Sequence, residues 1–228
     1  MAKLTPVRRT VLQGAALAAI IASQSAGCGE VRYRDTITAD QPVRRVVIQG
    51  DMGIVELVPA SATKVDYAVR APEGAALIQY TEFDGVLQVS ARCRTPILCA
   101  VDAEVHIPDG VPVEVELDRG EVWATGIGNI DVSVGEGEVD IETSGRSTVQ
   151  VGSGAARVVS TNTDQLRVAV GQGDIEVLVS PEKWNIDIVA ASESLKGVTH
   201  DEGALGAMEL VAPAGLVSVR ALSTLTQR

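Results

Sequence analysis

One short pattern recurs through the second half of this chain and leaves little choice of architecture. Val132-Ser-Val134 runs through Gly135-Glu-Gly137 into Val139-Asp-Ile141, and Val168-Ala-Val170 runs through Gly171-Gln-Gly173 into Ile175-Glu-Val177. Val149-Gln-Val151 with Gly152-Ser-Gly154, and Val115-Glu-Leu117 with Gly120, are variants of the same unit. Glycines 120, 137, 154 and 173 lie 17, 17 and 19 residues apart. Two degenerate copies follow, Ile186-Asp-Ile188 before Ser192-Glu-Ser194, and Met208-Glu-Leu210 before Pro213-Ala-Gly215.

Within each unit apolar and polar residues alternate, which is the period of a strand with one buried face. A single unit cannot bury that face alone, so the units must stack on one another. The pattern predicts an all-β protein whose residues 113–222 form a β-helix-like solenoid of about six coils. The coil corners fall at Gly120, Gly135, Gly137, Gly152, Gly154, Gly171, Gly173 and Gly215, where glycine permits backbone angles closed to other residues. A twisted antiparallel meander is the alternative arrangement of the same strands. Stacking has a corollary: Trp123, Asp140, Arg157 and Glu176, each three residues past a corner glycine, should form one outward column. Its opposite charges then alternate and oppose a slip of register.

Residues 43–112 carry the same alternation without the repeat, and predict a smaller β region preceding the solenoid. Leu77-Ile-Gln-Tyr80 and Val86-Leu-Gln-Val89 flank Glu82-Phe-Asp-Gly85, a hairpin signal. Cys93 and Cys99 close a short loop where two strands would meet. A structural disulfide fits an exported chain; two buried free thiols are the other reading.

The first 27 residues read as an address. Lys3, Arg8 and Arg9 precede an apolar run from Thr10 to Ala22, followed by small residues, which is the layout of an export signal. The run is shorter than the 20 or so apolar residues that a spanning helix needs. Ser25-Ala-Gly-Cys28 resembles a bacterial lipobox, with Cys28 as the lipidated residue; ordinary cleavage near Ser25 or Gly27 is the alternative. Val7-Arg-Arg-Thr10 resembles a twin-arginine export motif. Residues 28–42 then read as a tether and 223–228 as a tail.

Charge and composition exclude several roles. The chain has 19 Lys and Arg against 30 Asp and Glu, a net charge of −11. Removing residues 1–27 takes away three of the positive charges, leaving −14. Such a surface repels nucleic acid and anionic lipid, so membrane contact would come through a lipid anchor alone. Gly135-Glu-Gly137 leads into a strand, unlike a nucleotide-binding glycine loop, which opens a helix. The acids Glu136, Glu138, Asp140 and Glu142 crowd one unit but lie on a solvated strand face, where nothing would raise the pKa of one of a catalytic pair. His106 and His200 have no ligand-spaced partner in sequence. No catalytic, metal or cofactor residues are therefore assigned. Trp123 is the candidate contact residue, because the alignment points it outward, and Trp184 reads as a loop cap.

The Val-x-Val-Gly-x-Gly-x-Val-x-Val units at Val132–Ile141 and Val168–Val177, with Val105-His-Ile-Pro-Asp-Gly-Val-Pro-Val113, resemble the putative-adhesin family of bacterial domains of unknown function. So does the opening Val46-Val-Ile-Gln-Gly-Asp-Met-Gly-Ile-Val-Glu-Leu57. The likeness covers about residues 43–222. It implies a β-solenoid and brings no catalytic residues. The expected role is a non-enzymatic binding or structural module of the bacterial cell envelope, its partner an envelope or extracellular protein or glycan. An enzyme of the parallel β-helix type acting on acidic polysaccharide, and self-association through open solenoid ends, are the competing readings.

Overall fold

The computed structural model describes residues 30–94, 99–161, 165–180 and 183–222. The expected signal segment, Cys28 and the tail at 223–228 lie outside them. Thirteen strands and no helix are found among the described residues. They are β1 (Glu30–Thr38), β2 (Arg45–Ala60), β3 (Lys64–Pro72), β4 (Ala76–Phe83), β5 (Val86–Cys93), β6 (Ala100–Pro108) and β7 (Val113–Ile127). Then come β8 (Ile130–Thr143), β9 (Ser147–Ser160), β10 (Gln165–Val179), β11 (Lys183–Lys196), β12 (Thr199–His200) and β13 (Gly206–Ala221).

The repeat units become long strands stacked in parallel. Val132 pairs with Val115 on one side and Val149 on the other, and Val149 pairs with Val168. The offset between partners equals the sequence period, so equivalent residues of every unit share a ladder. Along β8 the buried residues are Ile130, Val132 and Val134, and then Val139, Ile141 and Thr143. Burial thus changes from even to odd positions across Gly135-Glu-Gly137, dividing the strand into two legs that each bury one face. Val122, Ile141, Val158 and Val177 are fully buried on the second leg, and Val115, Val132, Val149 and Val168 are nearly so on the first. Burying each such side chain contributes about 1.5–3 kcal/mol.

The junction between the legs is a column of glycines. Gly53, Gly120, Gly137, Gly154 and Gly173 follow one another in register, with φ between +137° and +151°. A Cβ on Gly137 would stand 1.7 Å from the carbonyl oxygen of Gly120, and one on Gly154 1.7 Å from that of Gly137. No side chain fits there. Gly215 continues the column, its Cβ position lying 1.7 Å from the Gly173 oxygen. Gly135, Gly152 and Gly171 form a second close-packed file, 2.4–2.6 Å from the carbonyl oxygen of the preceding unit.

Three sequence expectations are revised, and the order of the last strands is new. Residues 30–38, read as part of a tether, form β1, which pairs antiparallel with β3 from Glu30–Pro72 to Thr38–Lys64. Its alternation is broken by Asp35, which shares the face of buried Ile37 and accepts a 3.3 Å hydrogen bond from Tyr67 Oη. Second, the sheet continues across residue 112. β2 pairs with β7 in parallel from Val46–Val113 to Leu57–Ala124, and Gly53 heads the glycine column. The intervening β3–β6 extend the same sheet as a flank. Third, the last two units are not stacked in chain order. β13 sits between β10 and β11, because it carries the more apolar face: Met208, Leu210, Ala212, Val217 and Val219 are buried. Fourth, Trp184 is a core residue as well as a loop cap, its indole N–H reaching the Ser180 carbonyl oxygen at 3.5 Å. It is 2% exposed and covers the end of the core beneath Gly206, whose Cβ would lie 3.0 Å from the indole ring.

Cys93 and Cys99 are disulfide-bonded, with Cα atoms 5.8 Å apart. The bond joins the end of β5 to the start of β6 and belongs to a small second core with Val69, Ala71, Ala75 and Val101. A loop this short is worth about 2 kcal/mol in the chain-entropy description. The β4–β5 hairpin turns on Asp84 and Gly85, both with positive φ (51° and 73°), the two-residue turn whose twist matches the flanking strands.

Candidate binding surface

The outward column exists. Trp123 pairs with Asp140, Asp140 with Arg157 and Arg157 with Glu176, one residue per strand. Glu56 of β2 precedes Trp123 in the same ladder and Ser218 of β13 follows Glu176. Arg157 reaches both acids: its Nη1 lies 2.9 Å from Asp140 and its Nε 3.5 Å from Glu176. Arg220 approaches Glu176 from the far side at 3.5 Å. All these groups are well exposed, so each pair contributes at most about 1 kcal/mol.

Trp123 stands in this acidic ladder with 51% of its surface exposed. Its ladder neighbours are carboxylates, Glu56 and Asp140, and Glu121 lies on its own strand. A flat apolar ring bordered by acids suits a partner that is apolar and basic together.

The four crowded acids are divided by the fold. Glu136 lies at the glycine junction and takes Arg119, 2.9 Å away, while Asp140 takes Arg157 on the second leg. Glu138 and Glu142 are exposed on that second leg. They form a solvated face with no enclosed pair.

The histidines serve structural roles. His106 Nε2 lies 3.2 Å from both Asp66 and Glu104, and Asp66 also takes Lys64 Nζ at 2.5 Å and the Thr36 hydroxyl at 2.6 Å. The hydrogen bond from Lys64, followed by that from Thr36, holds the Asp66 carboxyl below the usual carboxylate range. His200 Nδ1 accepts the backbone N–H of Ile186 at 3.1 Å, fastening β12 over the start of β11. Beside it, Asp201 is lowered by hydrogen bonds from Lys183 and then from the Gly203 N–H. Among the described residues no group of three or more His, Cys, Asp or Glu is placed to hold a metal ion.

Two features escape a sequence reading. An open hollow of about 530 Å³ lies across the starts of β8–β11 and β13, bordered by Asp131, Arg146, Thr148, Arg167, Asp187 and Glu209. Arg167 is committed to Glu209 there, at 2.5 Å. The other is an aromatic contact at the opposite end of the sheet: the Tyr33 and Tyr67 rings meet edge to face with centroids 6.3 Å apart. Burial, then the nearby Asp35 charge, pushes the Tyr67 hydroxyl up to about 12. Both features join residues far apart in the chain, and only the scarcity of aromatic residues is visible in the sequence.

No known protein family matches the chain, and no curated protein does. Among solved structures it is similar to a putative cell adhesion protein from Clostridium sporogenes, at 11% identity and a TM-score of 0.50, covering 84% of this chain and 100% of that one. A putative adhesin from Bacteroides fragilis aligns at 12% identity and a TM-score of 0.37, over 84% of this chain and 97% of the other. The first likeness establishes a shared all-β fold with a long parallel strand stack.

Proposed function

We propose that this chain is an exported lipoprotein of the bacterial cell envelope that works as a non-enzymatic, adhesin-like binding module on a β-solenoid scaffold. The observation that carries the reading is Trp123, an exposed ring held in an acidic ladder on a rigid parallel stack. The solenoid part rests on lengths. A straight strand of 14 residues would span about 46 Å, and the two to four residues linking β7 to β8, β8 to β9 and β9 to β10 reach less than about 20 Å. Successive units nevertheless begin side by side, so each must turn back on itself, at the glycine corners. Six such units, β7, β8, β9, β10, β13 and β11, follow β2, which serves as the N-terminal cap. Export and anchoring rest on the basic and apolar N-terminal segment and Cys28. The adhesion proteins among the structural neighbours accord with a surface role.

The decisive experiment has two arms. In the bacterial host, the native chain is expected in the detergent phase of an envelope extraction and Cys28→Ser in the aqueous phase; recovery of both in the aqueous phase removes the anchor. The purified chain is expected to bind basic, aromatic-rich envelope or extracellular proteins, and Trp123→Ala to lose at least about tenfold in affinity, as a central aromatic contact does. Equal binding by the variant removes the site.

A second reading, a parallel β-helix enzyme acting on acidic polysaccharide, draws on the hollow bordered by Asp131, Arg146 and Asp187. Release of new reducing ends from polyuronate by the native chain, and its loss in Asp187→Asn, would favour that reading over the binding module.

A further inference from the structure

Among the described residues the sheet has three free edges, and they are not alike. β1 ends one side and carries Arg32 and Arg34. β11 ends the other. Its irregularity at Ala190–Ser192 breaks the ladder, β12 covers its start, and Glu193 occupies the position paired with buried Val217. Charges, irregular pairing and inward acids are the devices by which native edges resist further strands. β4 has neither a charge on its outward face nor irregular pairing. It pairs with β5 alone, and the face it turns away from the core reads Leu77, Gln79, Thr81, Phe83, without a charge or a proline. Its one acid, Glu82, lies on the other face and is already bound, each oxygen accepting a backbone N–H at 2.9 Å, from Asp40 and from Gln41.

β4 also holds some of the most exposed apolar side chains of the described residues: Phe83 at 82%, Tyr80 at 58% and Leu77 at 43%. We infer that β4 is a self-association edge, where a second copy of this chain adds its own β4 antiparallel about a two-fold axis at Tyr80.

The occupant follows from self-complementarity. Antiparallel pairing centred on Tyr80 sets Leu77 opposite the second copy's Phe83, Gln79 opposite its Thr81, and Tyr80 opposite its own equivalent. All three exposed apolar residues gain an apolar partner, and the two amide–hydroxyl pairs can hydrogen-bond; on the other face Ile78 meets the second copy's Glu82, whose carboxylate is held by the Asp40 and Gln41 N–H groups of its own chain. Centring on Gln79 instead puts Leu77 against Thr81 and carries Phe83 past the strand start. Centring on Thr81 puts Phe83 against Gln79 and Leu77 against the turn glycine. A shift by half a step turns the faces over. One register therefore satisfies the strand, and it is the symmetric one expected of an isologous dimer. A single eight-residue strand pair lies at the small end of specific interfaces, so the dissociation constant should be on the order of 10–100 µM.

Sedimentation equilibrium of the purified chain, in a Cys28→Ser background, between about 5 and 500 µM tests this. The expected result is a reversible monomer–dimer equilibrium that Thr81→Lys weakens by about thirtyfold or more, placing two ammonium groups in the ladder while leaving the exposed position free to fold. Under mild oxidation Tyr80→Cys should cross-link to its own equivalent, since facing residues bring Cα atoms within about 4.5–5.5 Å, a span a disulfide bridges. Gln172→Cys, exposed at the glycine junction, serves as the collision control. A monomer at every concentration, an equilibrium that Thr81→Lys leaves unchanged, or cross-linking at residue 80 no faster than at residue 172 overturns the inference. So does a chain that stays monomeric while binding an extended apolar peptide along β4.

Discussion

At the scale of single residues, the glycine column and Tyr67 carry the sharpest consequences. A methyl group on Gly137 would overlap the Gly120 carbonyl, and φ there is +151°. Neither strand can yield without breaking a ladder. Gly137→Ala should therefore lose about 3 kcal/mol or more in urea unfolding. Gly128→Ala should be nearly neutral, since a Cβ there meets nothing within 4 Å. Tyr67 gives a pH dependence at the alkaline end. Its hydroxyl ionises near 10 in an unfolded chain and at about 12 in the folded one, so the folded state holds the proton more tightly. That contribution is complete below pH 10 and is lost as the pH rises towards about 12. Tyr67→Phe keeps the ring and has no proton to lose. Its thermal stability should fall less steeply than the native chain's between those limits.

At the scale of elements, the strands owe their order to two separate forces. Burial of alternating aliphatics makes stacking favourable, but Val-on-Val contact is similar in several registers. The glycine file and the outward charges discriminate between them. Arg157 between Asp140 and Glu176 is the clearest case, and Arg157→Asp would set three carboxylates in successive rungs. Because the groups are exposed, the expected cost is about 1 kcal/mol, seen as a melting shift of a few degrees. Most of that shift should vanish in 1 M salt, where the Debye length is about 3 Å. A shift that persists in salt would mean that the arginine stem matters through packing.

At the scale of the molecule, a stack of strands has an end problem, and this chain meets it with aromatic side chains and a return strand. Trp184 closes the core beneath β11, while Tyr67, packed against the core, lies on the β3 flank of the other end. The chain leaves a slot beside β10, lays down β11, and returns with β13 to fill it. The apolar strand is thereby covered on both sides, and the more polar β11 is left outermost. Trp184→Ala should cost about 3–5 kcal/mol, as for other buried large-to-small changes. In hydrogen exchange the loss should appear first as opening of β11 and β12, with β8 and β9 still protected. Uniform loss of protection would instead mean that the stack unfolds as one unit.

How much was legible before folding follows from the range of each interaction. Periodicity within a unit and the spacing between units are local properties. They determined strand identity, the parallel stack, the Trp123–Glu176 column and the hairpin at Asp84–Gly85. The Cys93–Cys99 bridge was equally near in sequence. What failed was non-local or masked by polarity. β1 hides its alternation behind Asp35, and becomes a strand because β3 offers it a ladder. Gly53 lies 67 residues before its stacking partner Gly120, with β3–β6 inserted between. The position of β13 is a contest between two degenerate units for one slot, settled by total apolar area buried. The bare edge at β4 exists only because every other strand has chosen its neighbours. By itself, then, the sequence determined the repeating strand unit and its glycine junction, because both are set by residues within one turn of the stack. Only the tertiary structure decided the order of the last strands, the N-terminal flank and which surfaces remain free, because those depend on which distant strands compete successfully for the same backbone edge.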